Sequence, residues 1–171
     1  MMGEVSKNMT VEKEKLFKEI MGSYPTGVTI VTTTDSEGNP LGLTVNSFTS
    51  VSINPLLVLW CIDKRASSFE AFQQCSGFAI HTLASDQKEL CWAFAGKEPD
   101  RFSKAEWSLS ERNLPIIQGS YGVMECTVVQ RIDAGDHTLL IGEVVELKKT
   151  DKEPMLYFRR NVGSIPENWP A

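Results

Sequence analysis

Two long runs, YGVMECTVVQRID (residues 121–133) and HTLLIGEVVEL (137–147), are separated by only Ala134, Gly135 and Asp136. Both are rich in strand-forming residues, and so short a link joins consecutive strands only antiparallel, because a parallel return needs a crossover of about a dozen residues or more. A long hairpin is therefore the piece around which the rest must be arranged. GVTIVTTT (27–34) runs through the turn residues of DSEGNP into LGLTVNSF, which makes a second hairpin, and GFAIHTL (77–83) reads as another strand. LLVLWCID (56–63) is almost continuously apolar, as in a strand covered on both faces, so its expected place is the centre of the sheet.

Helical patterning is sparser. TVEKEKLFKEIMG (10–22) spaces Val11, Leu16, Phe17 and Ile20 along one side, with Thr10 as N-cap and acidic residues in the first turn. Ser67–Gln74 opens with a Ser-x-x-Glu capping box (Ser67, Glu70), and SDQKELCWAFAG (85–96) carries Leu90, Ala93 and Phe94 toward a stop at Gly96. Residues 97–120 are loop-rich and read as a cover segment. Strands outnumber helices and hairpins dominate, so the expected architecture is mainly β: an antiparallel barrel with a few helices outside. The expected division is an N-terminal helical segment (1–22), the barrel (23–160) and a C-terminal arm (161–171) able to reach a partner subunit.

A net charge of −5 without a basic, aromatic-interleaved cluster argues against nucleic acid. No apolar run approaches the roughly 20 residues of a membrane span, and the charged N-terminus lacks the apolar centre of a secretory signal, so the expectation is a cytoplasmic protein. Cys61, Cys75, Cys91 and Cys126 form no C-x-x-C pair, so they read as reduced thiols and no metal site is expected. Walker, G-x-G-x-x-G, H-E-x-x-H and G-x-S-x-G motifs are all missing, and neither His81 nor His137 stands in a nucleophile motif.

One stretch remains unexplained by folding alone. LTVNSFTSVSINP (43–55) carries Thr44, Asn46, Ser47, Thr49, Ser50 and Ser52 without a single charge, a density of neutral donors and acceptors unusual for a half-buried strand. It leads through LLVLWCID into DKRASS, and some seventy residues later comes DAGDH. With the opening Pro25–Val28 (PTGV), these motifs, together and in order over residues 20–160, resemble the flavin reductase-like family, whose members share an FMN-binding split β-barrel.

The resemblance implies an NAD(P)H-dependent flavin oxidoreductase. It would bind FMN, with FAD possible, take electrons from NADH or NADPH, and pass reduced flavin or electrons to a monooxygenase or other acceptor. A homodimer with the flavin near the subunit interface is implied as well. A flavoredoxin-like FMN electron carrier, or a ferric reductase without efficient dinucleotide oxidation, stays open as the alternative. Residues carried over to the flavin are Thr44, Val45, Asn46, Ser47 and Ser50 around the ring, with Cys61 and Asp63 at the following strand end. Lys64, Arg65, Ser67, Ser68 and Phe69 are expected at the phosphate, where basic groups meet a helix start. His81 stands where many relatives carry asparagine and is expected at a flavin contact. Thr26, Gly27, Arg101 and Phe102 are expected around the nicotinamide, with His137 over the flavin face as the catalytic group. Tyr157, Arg159 and Arg160 are implied near the flavin of the same or a neighbouring subunit.

Overall fold

A computed structural model describes residues 2–98 and 100–169. The chain opens with helix α1 (Met2–Gly22), then strands β1 (Thr26–Gly27), β2 (Thr29–Thr34), β3 (Pro40–Val45), β4 (Thr49–Ile53) and β5 (Leu56–Asp63). Helix α2 (Phe69–Gln74), β6 (Gly77–Thr82) and helix α3 (Lys88–Ala95) follow. A 3-10 turn at Arg101–Lys104, β7 (Trp107–Leu109) and β8 (Pro115–Ile117) lead into the long hairpin β9 (Gly122–Ala134) and β10 (His137–Lys149). The short strands β11 (Leu156–Phe158) and β12 (Asn161–Gly163) complete the chain, β12 lying within the segment expected to be an arm.

Seven strands form one antiparallel sheet in the order β3-β2-β6-β9-β10-β5-β4. The two edge strands, β3 and β4, are consecutive in sequence and joined only by Asn46, Ser47 and Phe48. Laid flat, seven strands about 4.8 Å apart would hold those edges roughly 29 Å from each other. Four Cα steps reach at most about 15 Å. The sheet must therefore curl, and the hydroxyl-rich stretch is the seam where its edges meet.

Inside the curl, Trp60 sets its ring edge-on to Phe72 at 4.9 Å and to Phe78 at 5.8 Å, with Val31, Ile80, Cys126 and Leu140 around them. This close packing explains Gly142, which sits where the β9–β10 register shifts: a Cβ there would lie 2.5 Å from the Phe78 ring. A second core, Ile30, Leu83, Leu90, Phe94, Phe102, Ile117 and Met155, lies under α3 and the cover segment.

β2 separates the two cores, Ile30 facing one and Val31 the other, and like its neighbour β6 it is buried on both faces. Its three buried threonine hydroxyls are tolerated there because each donates to a carbonyl: Thr29 to Val45, Thr32 to Pro115 and Thr33 to Gly77. β5, expected at the centre, is instead next to the edge and buries only Val58, Trp60 and Ile62. Its apolar outer face (Leu57, Leu59, Cys61) is half-buried, which is why the run reads as doubly covered. The expected capping box is not formed either: α2 begins after Ser68, whose side chain makes no cap bond, and Ser67 is exposed.

Candidate functional site

The seam organises the site. Ser47 Oγ donates to the Cys61 carbonyl at 3.0 Å and accepts from the Cys61 N–H at 3.1 Å, pinning the three-residue link to the end of β5. Partial burial beside this contact raises the Cys61 thiol pKa, so it stays protonated. Asn46 and Phe48, on either side of Ser47, face a cavity of about 260 Å³ shared with Thr26, Gly27, Thr29, Thr82, Tyr121 and Met155. Thr26 Oγ1 is buried and has no hydrogen-bond partner. An unmet buried hydroxyl costs roughly 1–3 kcal/mol, so this one is set up for a group the chain does not supply. Ligand pockets usually measure about 300–1,000 Å³, so the cavity is of a size to seat one edge of a flat ring whose remainder lies outside.

At the other side of Ser47, β5 ends in Asp63, paired in register with His137 at the start of β10. The Asp63 carboxylate takes the Arg65 guanidinium at 2.7 and 3.1 Å and the Arg65 N–H at 2.8 Å, which drives its pKa far below the usual carboxylate range. Lys64 Nζ donates to the Gly135 carbonyl at 2.7 Å and pairs with Asp133, so it lies along the β9–β10 turn. His137 Nδ1 lies 2.7 Å from Asp136 Oδ1, and that bond lowers the Asp136 pKa. With Nδ1 donating to the carboxylate, Nε2 is the ring's other polar atom and accepts when the imidazole is neutral.

Asn46, Ser47, Cys61, Asp63, Lys64, Arg65 and His137 thus gather along the seam and the adjoining strand ends, with Thr26 and Gly27 on the cavity wall. Val45 closes β3 just before the link, and Ser50 is exposed on β4. Ser68 is buried and Phe69 packs against the inner core, leaving Ser67 as the exposed hydroxyl ahead of α2. Four expected residues are engaged elsewhere. Thr44 donates to the Cys91 carbonyl at 2.7 Å, tying β3 to α3. Arg101 binds the carbonyls of Gly42, Phe94 and Glu98, and Phe102 stacks edge-on with Phe94 and Trp107, so both hold the cover segment down.

His81 departs furthest from the expectation of a flavin contact. It is fully buried, with Nδ1 3.1 Å from the Ile30 carbonyl and Nε2 accepting the Ile117 N–H at 3.1 Å. Both nitrogens are consumed in joining β6 to β2 and β8, and burial pushes its pKa down to about 4. Arg159 and Arg160 form the β11–β12 turn with φ of 48° and 62°, Arg159 donating to Ser23 Oγ, while Tyr157 pairs in register with Thr26.

Sequence reasoning missed Thr82, Tyr121 and Met155 on the cavity wall. Tyr121 reaches it because β9 aligns Gly122 with Thr82, a register that no local motif announces. A larger hollow of about 710 Å³ lies at the opposite end of β2, between Thr34–Ser36, α2 and the Glu111–Leu114 loop, and holds none of the expected residues.

Residues 21–166 match the flavin reductase like domain. The chain belongs to this family. It is 41% identical over 155 residues to the reductase component of a flavin-dependent trigonelline monooxygenase from Acinetobacter baylyi, matching 91% of this chain and 50% of that protein. The chain therefore spans about half the length of that relative. It is 40% identical over 146 residues to the FMN reductase (NADH) SmoA of Agrobacterium fabrum, covering 85% of this chain and 83% of the other. Among solved structures, a Streptomyces globisporus NADH:FAD oxidoreductase in complex with NAD and FAD fragments superposes with a TM-score of 0.86 at 33% identity, covering 92% of this chain and 95% of that one.

Proposed function

We propose that this protein is an NAD(P)H-dependent flavin oxidoreductase that binds FMN, accepts FAD, and supplies reduced flavin to a partner such as a monooxygenase. The observation that carries the reading is the seam: a three-residue link holding Asn46 and Phe48 against a cavity with an unpartnered Thr26 hydroxyl, a few residues from His137's strand partner Asp63. The donor set fits a flavin, whose ring edge asks for neutral donors and acceptors around an apolar slot. Asn46, Thr26 and the link's backbone would hold the ring edge, with Lys64, Arg65 and Ser67 near its phosphate. Bound flavin supplies the acceptor for a hydride from the nicotinamide.

The chain's own task is positioning. Ser47 fixes the link so that Asn46 keeps its place, and the carboxylate of Asp136 fixes the His137 ring with Nε2 turned to accept. An acceptor there suits a carboxamide N–H and orients a nicotinamide without taking part in proton transfer. Phe48, Met155 and Leu83 give the cavity a dry wall.

A homodimer is part of the reading. Along α1, Val11, Leu16, Phe17 and Ile20 are each more than half exposed, and the outer face of β5 is only half covered, so both leave apolar surface for a second copy. Four free cysteines suit the reducing cytoplasm, and no helix among the described residues is long and apolar enough to cross a membrane. Titration of the purified protein with FMN, followed by anaerobic NADH and then NADPH, tests the assignment: bound flavin should bleach near 450 nm with at least one donor. Failure to bind FMN or FAD at micromolar concentration would overturn it.

A further inference from the structure

Every basic side chain at the seam end of β5 already holds an acidic one. Lys64 pairs with Asp133 and donates to Gly135, Arg65 is clamped in a two-pronged bond by Asp63, and His137 bonds Asp136. With the imidazole neutral, these six groups sum to minus one charge, on a chain of net charge −5. No positive field waits there for a phosphate. An arriving phosphate must take Lys64 from Asp133, or Arg65 from Asp63, exchanging one charge-assisted hydrogen bond for another of the same kind.

Resting on the flavin reading above, we infer that Asp133 and Asp63 are specificity-determining residues that compete with the flavin phosphate for Lys64 and Arg65. The phosphate then adds little to affinity, the ring carries most of the binding, and FMN, FAD and riboflavin are held with similar strength. Such a site exchanges its flavin readily, as delivery of reduced flavin to a separate acceptor requires. Asp133 is the better handle, because its side chain is 79% exposed and its removal disturbs no packing. Asp63, at the end of β5, also receives the Arg65 N–H that shapes the turn toward α2.

The test is a fluorescence-quenching titration of FMN and of riboflavin into the wild type and Asp133→Asn, at low and at high salt. The wild type should prefer FMN by only a few-fold. Asp133→Asn should tighten FMN about two- to fivefold at low salt, the worth of one exposed ion pair, leave riboflavin unchanged, and lose its advantage at high salt. Lys64→Ala in the Asp133→Asn background should return FMN to its wild-type affinity. Unchanged FMN affinity in Asp133→Asn, or equal tightening of riboflavin, would overturn the inference while leaving the flavin reading in place. Absence of binding by either flavin to the wild type would overturn that reading and this one together.

Discussion

His81 ties the barrel to its cover segment through a proton-sensitive bond. The Ile117 N–H donates to Nε2, so Nε2 carries no proton and Nδ1 donates to Ile30. Complete burial disfavours the charged imidazolium, and a proton on Nε2 would also face the Ile117 N–H, so the pKa falls from 6.5 to about 4. Above pH 6.5 neither the folded nor the unfolded chain carries this proton. As pH falls below that value the unfolded chain binds it and the native one does not, so stability drops until the native pKa is reached. A fall from 6.5 to about 4 corresponds to roughly 3 kcal/mol in all, of which about 2 kcal/mol is lost between pH 7 and pH 5. Asp35, Asp63, Glu98 and Asp136 all have lowered pKa values, so their stabilisation fades only as pH falls through the carboxylate range, below this window.

Urea unfolding at pH 7 and pH 5 measures the difference, with His81→Asn as the reference that lacks the titrating ring. The variant should be less stable at pH 7 by roughly 1–3 kcal/mol, because a shorter side chain cannot reach both backbone partners, yet nearly level in its pH dependence. Subtracting it also removes whatever the surface groups contribute. If wild type and variant lose the same stability between the two pH values, the buried-neutral account of His81 is refuted.

Thr26→Val replaces an unpartnered buried hydroxyl by a methyl of similar shape, so thermal unfolding should show unchanged or slightly raised stability while FMN titration shows weaker binding; unaltered flavin affinity would remove Thr26 from the site. Gly142→Ala should lower urea stability by roughly 1–3 kcal/mol, since its Cβ would press on Phe78 and Cys126. His137→Ala should leave FMN affinity nearly intact and slow anaerobic flavin reduction about five- to thirtyfold in stopped flow, the loss of one orienting hydrogen bond; a variant that reduces at the wild-type rate but binds FMN poorly would make His137 a flavin or fold residue instead.

Both hairpins and the hydroxyl-rich stretch were legible in the sequence, whereas its place as a seam came from the strand order. The two residues between β9 and β10, Gly135 and Asp136, allow only an antiparallel return, and the uncharged run from Thr44 to Ser52 marks a place where neutral hydrogen bonds are needed. Those are local properties, readable from spacing and side-chain chemistry. What each polar side chain does with its capacity is not local. Thr44 and Ser47 look alike in the motif, yet one bonds α3 across 47 residues and the other bonds β5 across 14. His81 and His137 are equally plain in the sequence, and only the register of β6 against β2 and β9 and the cover of β8 bury one while the β9–β10 turn exposes the other. Likewise DKRASS announces positive charge, but the tertiary fold brings Asp133 to Lys64 from 69 positions away and so decides how much of that charge a ligand can use. Strand patterns fix which face a residue occupies; long-range pairing fixes its neighbours, and it is the neighbours that decide whether a donor is free.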